Sequence, residues 1–208
     1  VNNILDELPC RAEWLTGARS DPITGLVAFP DLYPHAVAEA LARVVAEHTL
    51  LGLAIGDVDD LKGHVEHSNA TDPDSFGHLA GNALMTQLGS VCREWFADTA
   101  FPAGCVSTFG GDEVIVAATG VTEAGFTASV TDLRDRCCAA LPCSVSFAAT
   151  VVGPGLAWPS PDPAVRAKFL LAAVDRALFA AKAARRHAGG PAGALVTVDL
   201  ARVMCDAA

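Results

Sequence analysis

Two hydrophobic patterns alternate along this chain. Short apolar runs bounded by turn residues predict strands at Leu51–Val58, Cys105–Thr108, Ile115–Ala118, Cys143–Val152 and Ala194–Val198. Between them, apolar residues recur every three or four positions, which predicts helices. The first helix carries Leu32, Val37, Leu41 and Val44; the second carries Leu84, Leu88, Val91, Cys92 and Trp95. A third covers 122–140 with Leu133 and Cys137 inward. The strongest stripe runs from Ala164 to Arg186 through Phe169, Leu170, Ala173, Val174, Ala177, Leu178 and Ala181, and Gly189-Gly190-Pro191 ends it. Pro and Gly mark Asp21–Gly25 as a turn, and residues 63–75 are polar enough to read as a loop. Cys105–Thr108 and Ile115–Ala118 flank Gly110-Gly111 and predict a hairpin. The pattern therefore predicts an α+β fold on a mixed or antiparallel sheet, with no internal repeat. Residues 1–20 are expected to be a short helical extension, with Ile4, Leu5, Leu8, Trp14 and Leu15 on one face, and residues 21–208 one domain.

The 208 residues are 51% hydrophobic and 18% charged, a globular composition with enough chain for a full core. A formal charge of −10 argues against a long nucleic-acid partner, which would need a basic face. No apolar run is long enough to span a bilayer, so no membrane partner is expected. The seven cysteines are odd in number and form no C-x-x-C pair, so reduced thiols and a cytoplasmic location are expected. The first residues lack the basic-then-apolar plan of a signal peptide, in keeping with that expectation.

Chemistry enters at two acidic stations. The hairpin tip carries Asp112 and Glu113, and the Leu51–Val58 run ends in Asp57, Asp59, Asp60 and Lys62. Carboxylates gathered at a strand end need a counter-charge, which a divalent cation supplies. Together the stations read as the metal half of a phosphoryl-transfer site. Taken alone, the hairpin tip reads equally well as a solvated turn. Lys182 and Arg186 lie four apart on one helix face, either to clamp phosphate or as a solvated basic helix end. His64, Glu66 and His67 fall in the polar 63–75 stretch, read as solvated in preference to a second metal site.

Five stretches in order resemble the GGDEF domains, most of which are diguanylate cyclases. Asp21-Pro-Ile-Thr-Gly-Leu26 is similar to the family's D-x-L-T-G-L, Asp57-Val-Asp-Asp-Leu-Lys62 to D-I-D-x-F-K, and Phe76-Gly-His-Leu-Ala-Gly-Asn82 to F-G-H-x-x-G-D. Gly110-Gly-Asp-Glu-Val114 is similar to the signature itself, with Val for the final Phe. Asp175-Arg-Ala-Leu-Phe-Ala-Ala-Lys182-Ala-Ala-Arg-Arg186 is similar to D-x-A-L-Y-x-A-K-x-x-G-R. The resemblance implies a palm-like fold related to nucleotidyl cyclases. It also implies an enzyme that condenses two GTP into cyclic di-GMP in at least a transient homodimer. It assigns Mg²⁺ (or Mn²⁺) to Asp57, the Val58 carbonyl, Asp112 and Glu113. Glu113 is alternatively the acceptor of the hydroxyl proton. The phosphates fall to the N–H groups of Asp60 and Leu61 and to Lys182 and Arg186, with Lys62 near the leaving pyrophosphate.

Departures from the pattern concern base choice and regulation. Asn82 stands where the family has an Asp that helps read guanine, and Asn69 is the one candidate for a second base reader. Ala28 and Phe29 replace an Asn-Arg pair, and the 63–75 stretch is roughly eight residues longer than usual. The R-x-x-D product-inhibition motif is absent, since Phe101-Pro-Ala-Gly104 stands there, so tight product inhibition through that site is not expected. Besides the GTP enzyme, two further readings stay open. One is a relative that uses ATP or another triphosphate and gives a different cyclic or hydrolysed nucleotide. The other is a silent nucleotide-binding module that regulates a partner.

Overall fold

The computed structural model describes residues 9–12, 15, 17–110, 112–188 and 193–205. Six strands form one mixed sheet in the order β1-β3-β4-β2-β5-β6. They are β1 (Val27–Ala28), β2 (Leu51–Val58), β3 (Ala103–Thr108), β4 (Glu113–Thr119), β5 (Val145–Val152) and β6 (Leu195–Thr197). β2 is central and antiparallel to both neighbours, whereas the outer pairs β1–β3 and β5–β6 are parallel. The helices are α1 (Phe29–Asp31), α2 (Val37–Glu47), α3 (Leu61–Thr71), α4 (Leu79–Asp98), α5 (Glu123–Ala140), α6 (Pro163–Ala188) and α7 (Leu200–Cys205).

Strand alternation explains why both faces of the sheet are covered. Leu51, Leu53 and Ile55 of β2 join Ile115, Ala117 and Ala148 under α2 and α6. Ala54 and Val58 join Val106, Val114, Val116, Phe147 and Ala149 under α4 and α5. On the second face β2 carries two glycines, Gly52 and Gly56. A Cβ there would collide with the Phe126 and Phe147 rings, so both rings lie on bare backbone. The α4 helix comes equally close to the Asp21–Leu26 turn, where a Cβ on Gly89 would meet the Thr24 carbonyl. That turn is closed by the Asp21 carboxylate, which accepts from the N–H groups of Ile23 and Thr24 at 3.1 and 2.8 Å and from the Thr24 hydroxyl. Gly25 follows at φ +69°, a left-handed conformation that favours glycine.

Two expectations need correction, and one element was missed. Residues 63–75 are largely helical: α3 runs to Thr71 and only Asp72–His78 turns. The misreading has a physical cause, because no residue of α3 is buried and the helix has no apolar stripe. Local bonds support it instead, with Lys62 and Glu66 3.6 Å apart and the Thr71 hydroxyl donating to the His67 carbonyl at 2.8 Å. The helix expected from Leu32 is kinked before α2, since Tyr33 precedes Pro34 and is extended (φ −117°, ψ 139°). The short parallel strand β1 was not predicted; two residues are too few to show a period. Of the expected N-terminal face, Ile4, Leu5, Leu8 and Trp14 lie outside the described residues, and Leu15 is buried. All seven cysteines are free thiols. Among the described residues no helix is long and apolar enough to cross a membrane.

Candidate active site

The site gathers where β2 ends beside the mouth of the β3–β4 hairpin. In the β2–β4 ladder Asp57 pairs with Glu113, so the two carboxylates stand side by side on one face. That face is the one carrying Leu51, Leu53 and Ile55, and it is covered by α6. The Asp112 carbonyl accepts from the Val58 N–H at 3.1 Å and fixes the hairpin mouth to the strand end. Gly111 lies outside the described residues. On α6, Lys182 follows the buried Leu178 by one turn and is itself only 7% exposed. Its ammonium donates to the Asp57 carboxylate and, at 3.1 Å, to the Val58 carbonyl; Asp59 is 3.6 Å away.

Asp59 heads a second, structural cluster. Its carboxylate accepts from Arg185 at 2.6 Å, from the Ser144 and Ser146 hydroxyls at 2.7 and 2.8 Å, and from the Gly193 N–H at 3.1 Å. Burial pushes this carboxyl up, but the four donors together hold it below the ordinary range. Sequence reasoning missed Arg185. The signal was present, since an Arg stands where the K-x-x-G-R pattern has Gly. Arg186, assigned to phosphate, is exposed in the last turn of α6.

The remaining assigned residues fall around the start of α3 and α4. Asp60 is left-handed (φ 57°) and caps α3, so the first free N–H groups of that helix open beside Val58. A Cβ on Gly63 would press on the Asp60 carboxylate. Lys62 is largely in solvent and paired with Glu66. Asn82 is exposed in the first turn of α4, next to Gly81, whose α-carbon faces Val65 of α3. Asn69 is already engaged: its amide donates to the Gly77 carbonyl at 3.1 Å and accepts from the Ser75 hydroxyl at 2.8 Å, closing the turn after α3.

Negative charge exceeds positive at the strand end. Burial raises the Asp57 carboxyl, against the pull of Lys182, and Asp112 and Asp59 add to the rise. Glu113 is raised from 4.5 to about 7, first by burial and then by Asp57, Asp175 and Asp112. Hard oxygen donors with surplus negative charge fit a divalent cation such as Mg²⁺ or Mn²⁺. Among the described residues no three acidic, His or Cys side chains make a self-sufficient metal site, so such an ion would complete its shell from substrate oxygens and water. Lys182 bridges two of the oxygens concerned, Asp57 and the Val58 carbonyl, and would have to yield at least one of them.

The raised Glu113 has a consequence for stability. Between 4.5 and about 7 the folded protein holds a proton that the unfolded chain has released. The stabilisation from that proton is complete at low pH and is lost as pH rises through 7. Glu113→Gln, neutral throughout, is expected to raise the melting temperature relative to wild type near about pH 8.5. The two should converge near about pH 4.5. Melting curves across that range check this; parallel curves would remove Glu113 from the pH dependence.

No known family's sequence profile matches the chain, and no curated protein matches it significantly. Solved structures do match. A microbial GGDEF domain described with cyclic di-GMP is 21% identical at a TM-score of 0.63, over 86% of this chain and 96% of that one. The FimX GGDEF domain of Pseudomonas aeruginosa is 18% identical at 0.63, over 86% and 98%. The fold is that of a GGDEF domain. A sensory box/GGDEF family protein from Caulobacter crescentus CB15 is 26% identical at 0.58, over 80% of this chain and 99% of that one. The stretch of this chain that resembles the GGDEF signature runs into β4, where Glu113 stands beside Asp57.

Proposed function

We propose that this chain is a metal-dependent nucleotide cyclase that condenses two GTP into cyclic di-GMP and releases pyrophosphate. The observation that carries the reading is the cross-strand placement of Asp57 beside Glu113 where β2 ends at the mouth of the β3–β4 hairpin. The GGDEF fold supports it, as does the cyclic di-GMP in the crystal structure of DgcB from Caulobacter crescentus, a 19% identical neighbour.

Asp57, the Val58 carbonyl, Asp112 and Glu113 would hold Mg²⁺ or Mn²⁺, which when bound neutralises triphosphate oxygens and acidifies a ribose 3′-hydroxyl. Lys182 and Arg186 hold the β- and γ-phosphates, with the N–H groups of Asp60 and Leu61 at the start of α3. Lys62, in the first turn of α3, adds positive charge toward the departing pyrophosphate. Glu113 alternatively stays off the metal and accepts the 3′-hydroxyl proton on a carboxylate oxygen. The 3′-oxygen then bonds to the α-phosphorus of the nucleotide on a second copy, and the bond from that phosphorus to the β-phosphate oxygen breaks. The reciprocal step closes the ring and releases the second pyrophosphate. Two copies must therefore face each other about a two-fold axis. Incubation with Mg²⁺ and each triphosphate, with products identified by mass spectrometry, tests the reading; cyclic di-GMP from GTP is expected.

One observation favours a different class. The Lys182 ammonium already neutralises Asp57 and satisfies the Val58 carbonyl. A domain that kept this arrangement with nucleotide bound would be a silent regulatory module. It would return GTP unchanged in the same experiment.

Base choice follows from Asn82. A carboxylate offers acceptors only, which suits the paired donors on guanine, whereas an amide offers both an acceptor and donors and suits adenine as well. Asn69, spent on Gly77 and Ser75, offers no replacement in this arrangement. GTP is expected to be preferred over ATP more weakly than with an Asp there. Asn82→Asp should restore roughly 1–3 kcal/mol of discrimination. Affinities for both nucleotides in the two proteins check this. A wild type that rejects ATP by orders of magnitude would point to another reader.

A further inference from the structure

A cavity of about 380 Å³ opens between α1, the β3–β4 hairpin and α6. Its floor is the apolar face of the sheet, Ile55 and Ile115, and Leu171 and Ala172 of α6 form one side. Three rings form the other: Phe29 stacks on Tyr33 with centroids 5.5 Å apart, and meets Phe109 edge-on at 4.0 Å. Glu113 and Asp175 also line the cavity. Among the described residues neither carboxylate is in an ion pair or accepts a hydrogen bond from a side chain, and Asp175 is one of the charges that raise the Glu113 carboxyl. Lys168 is two helical turns from Asp175, roughly 10 Å along α6, and stands at the far end of the cavity.

Aromatic faces and carboxylates together favour one ligand chemistry. Ring faces attract cations through their quadrupoles, and paired carboxylates accept the forked N–H groups of a planar cation. The residue at position 29 sharpens the case. Phe29 touches both of the other rings and so sets the aromatic wall of the cavity. We infer that this cavity binds a small planar organic cation, a guanidinium or amidinium on an apolar stem, with its charged fork on Asp175 and Glu113 and its stem among Phe29, Tyr33 and Phe109. The inference does not depend on which nucleotide, if any, the chain turns over. Because Glu113 belongs to both sites, an occupant would neutralise a carboxylate assigned to the metal.

The probes are benzamidine and its neutral counterpart benzamide, titrated calorimetrically into the nucleotide-free, metal-free protein. Benzamidine is expected to bind roughly tenfold tighter than benzamide. Asp175→Asn should remove most of that difference. Phe29→Arg, which places a tethered guanidinium in the cavity, should abolish benzamidine binding. In the wild type, which needs no variant to fold, benzamidine should shift the methyl resonances of Ile55 and Ile115. Equal affinity for both probes would reduce the cavity to an apolar slot and overturn the inference. So would no binding, or binding that leaves those methyl signals in place. Cyclase assays are a separate readout: an inactive protein that still binds benzamidine keeps this inference and loses the proposed function.

Discussion

Asp112→Asn is expected to reduce nucleotide turnover by roughly a thousandfold while leaving the fold intact. The two effects separate because of how Asp112 is used. Its structural contribution is the backbone carbonyl, which accepts from the Val58 N–H, and the substitution keeps that carbonyl. Its side chain forms no hydrogen bond or ion pair among the described residues, so the amide breaks no contact. What changes is charge: a neutral amide is a poor substitute for a carboxylate beside a dication. Product formation under saturating Mg²⁺, measured alongside the melting temperature, checks both halves. Turnover at the wild-type rate would remove Asp112 from the site. A large fall in melting temperature would show that its carboxylate has a structural partner.

The opposite profile is expected from Arg185→Ala. Arg185 and Asp59 form a buried pair 2.6 Å apart, with side chains 16% and 4% exposed. Removing the guanidinium leaves a buried carboxylate with Ser144, Ser146, a backbone N–H and, at 3.6 Å, a Lys182 ammonium already shared with Asp57. Deleting one member of such a pair costs about 3 kcal/mol. For a chain of this size that lowers the melting temperature by roughly 6–12 °C. Adding Asp59→Asn should recover part of the loss, because it removes the stranded charge while an amide oxygen can still accept from the serines. Urea denaturation of the wild type, the single variant and the double variant tests this. A loss well under about 1 kcal/mol would mean that water reaches the pair and that it behaves like a surface bridge.

These two residues also show what the sequence could and could not reveal. Asp57, Asp112 and Glu113 stood out because carboxylates at the ends of apolar runs are conspicuous, whereas the register that sets Asp57 beside Glu113 appears only in the folded sheet. The core helices α4 and α6 were legible from their apolar stripes. The α3 helix was not, because it buries nothing and is held by local bonds that leave no hydrophobic period. Arg185 was overlooked beside Lys182 and Arg186, since three basic residues near a helix end look alike until burial separates them. Structure turns Arg185 inward to Asp59 and leaves Arg186 outside. The cavity at Phe29 was beyond reach for a different reason. Its walls come from α1, the hairpin and α6, which only the folded sheet brings together.

The bare contact between Gly89 and Thr24 bears on how a signal could enter this domain. Most helix contacts include side chains that can change rotamer and absorb a small displacement. Here the helix backbone rests on a carbonyl of a turn that the Asp21 carboxylate locks from within. The Arg93 guanidinium and the Thr86 hydroxyl of α4 also donate to carbonyls of the same turn and tie the two together. A push on the chain ahead of Asp21 would pass into α4 as a rigid-body shift, as through a keyed joint. It would arrive at Asn82, the residue proposed to set base choice.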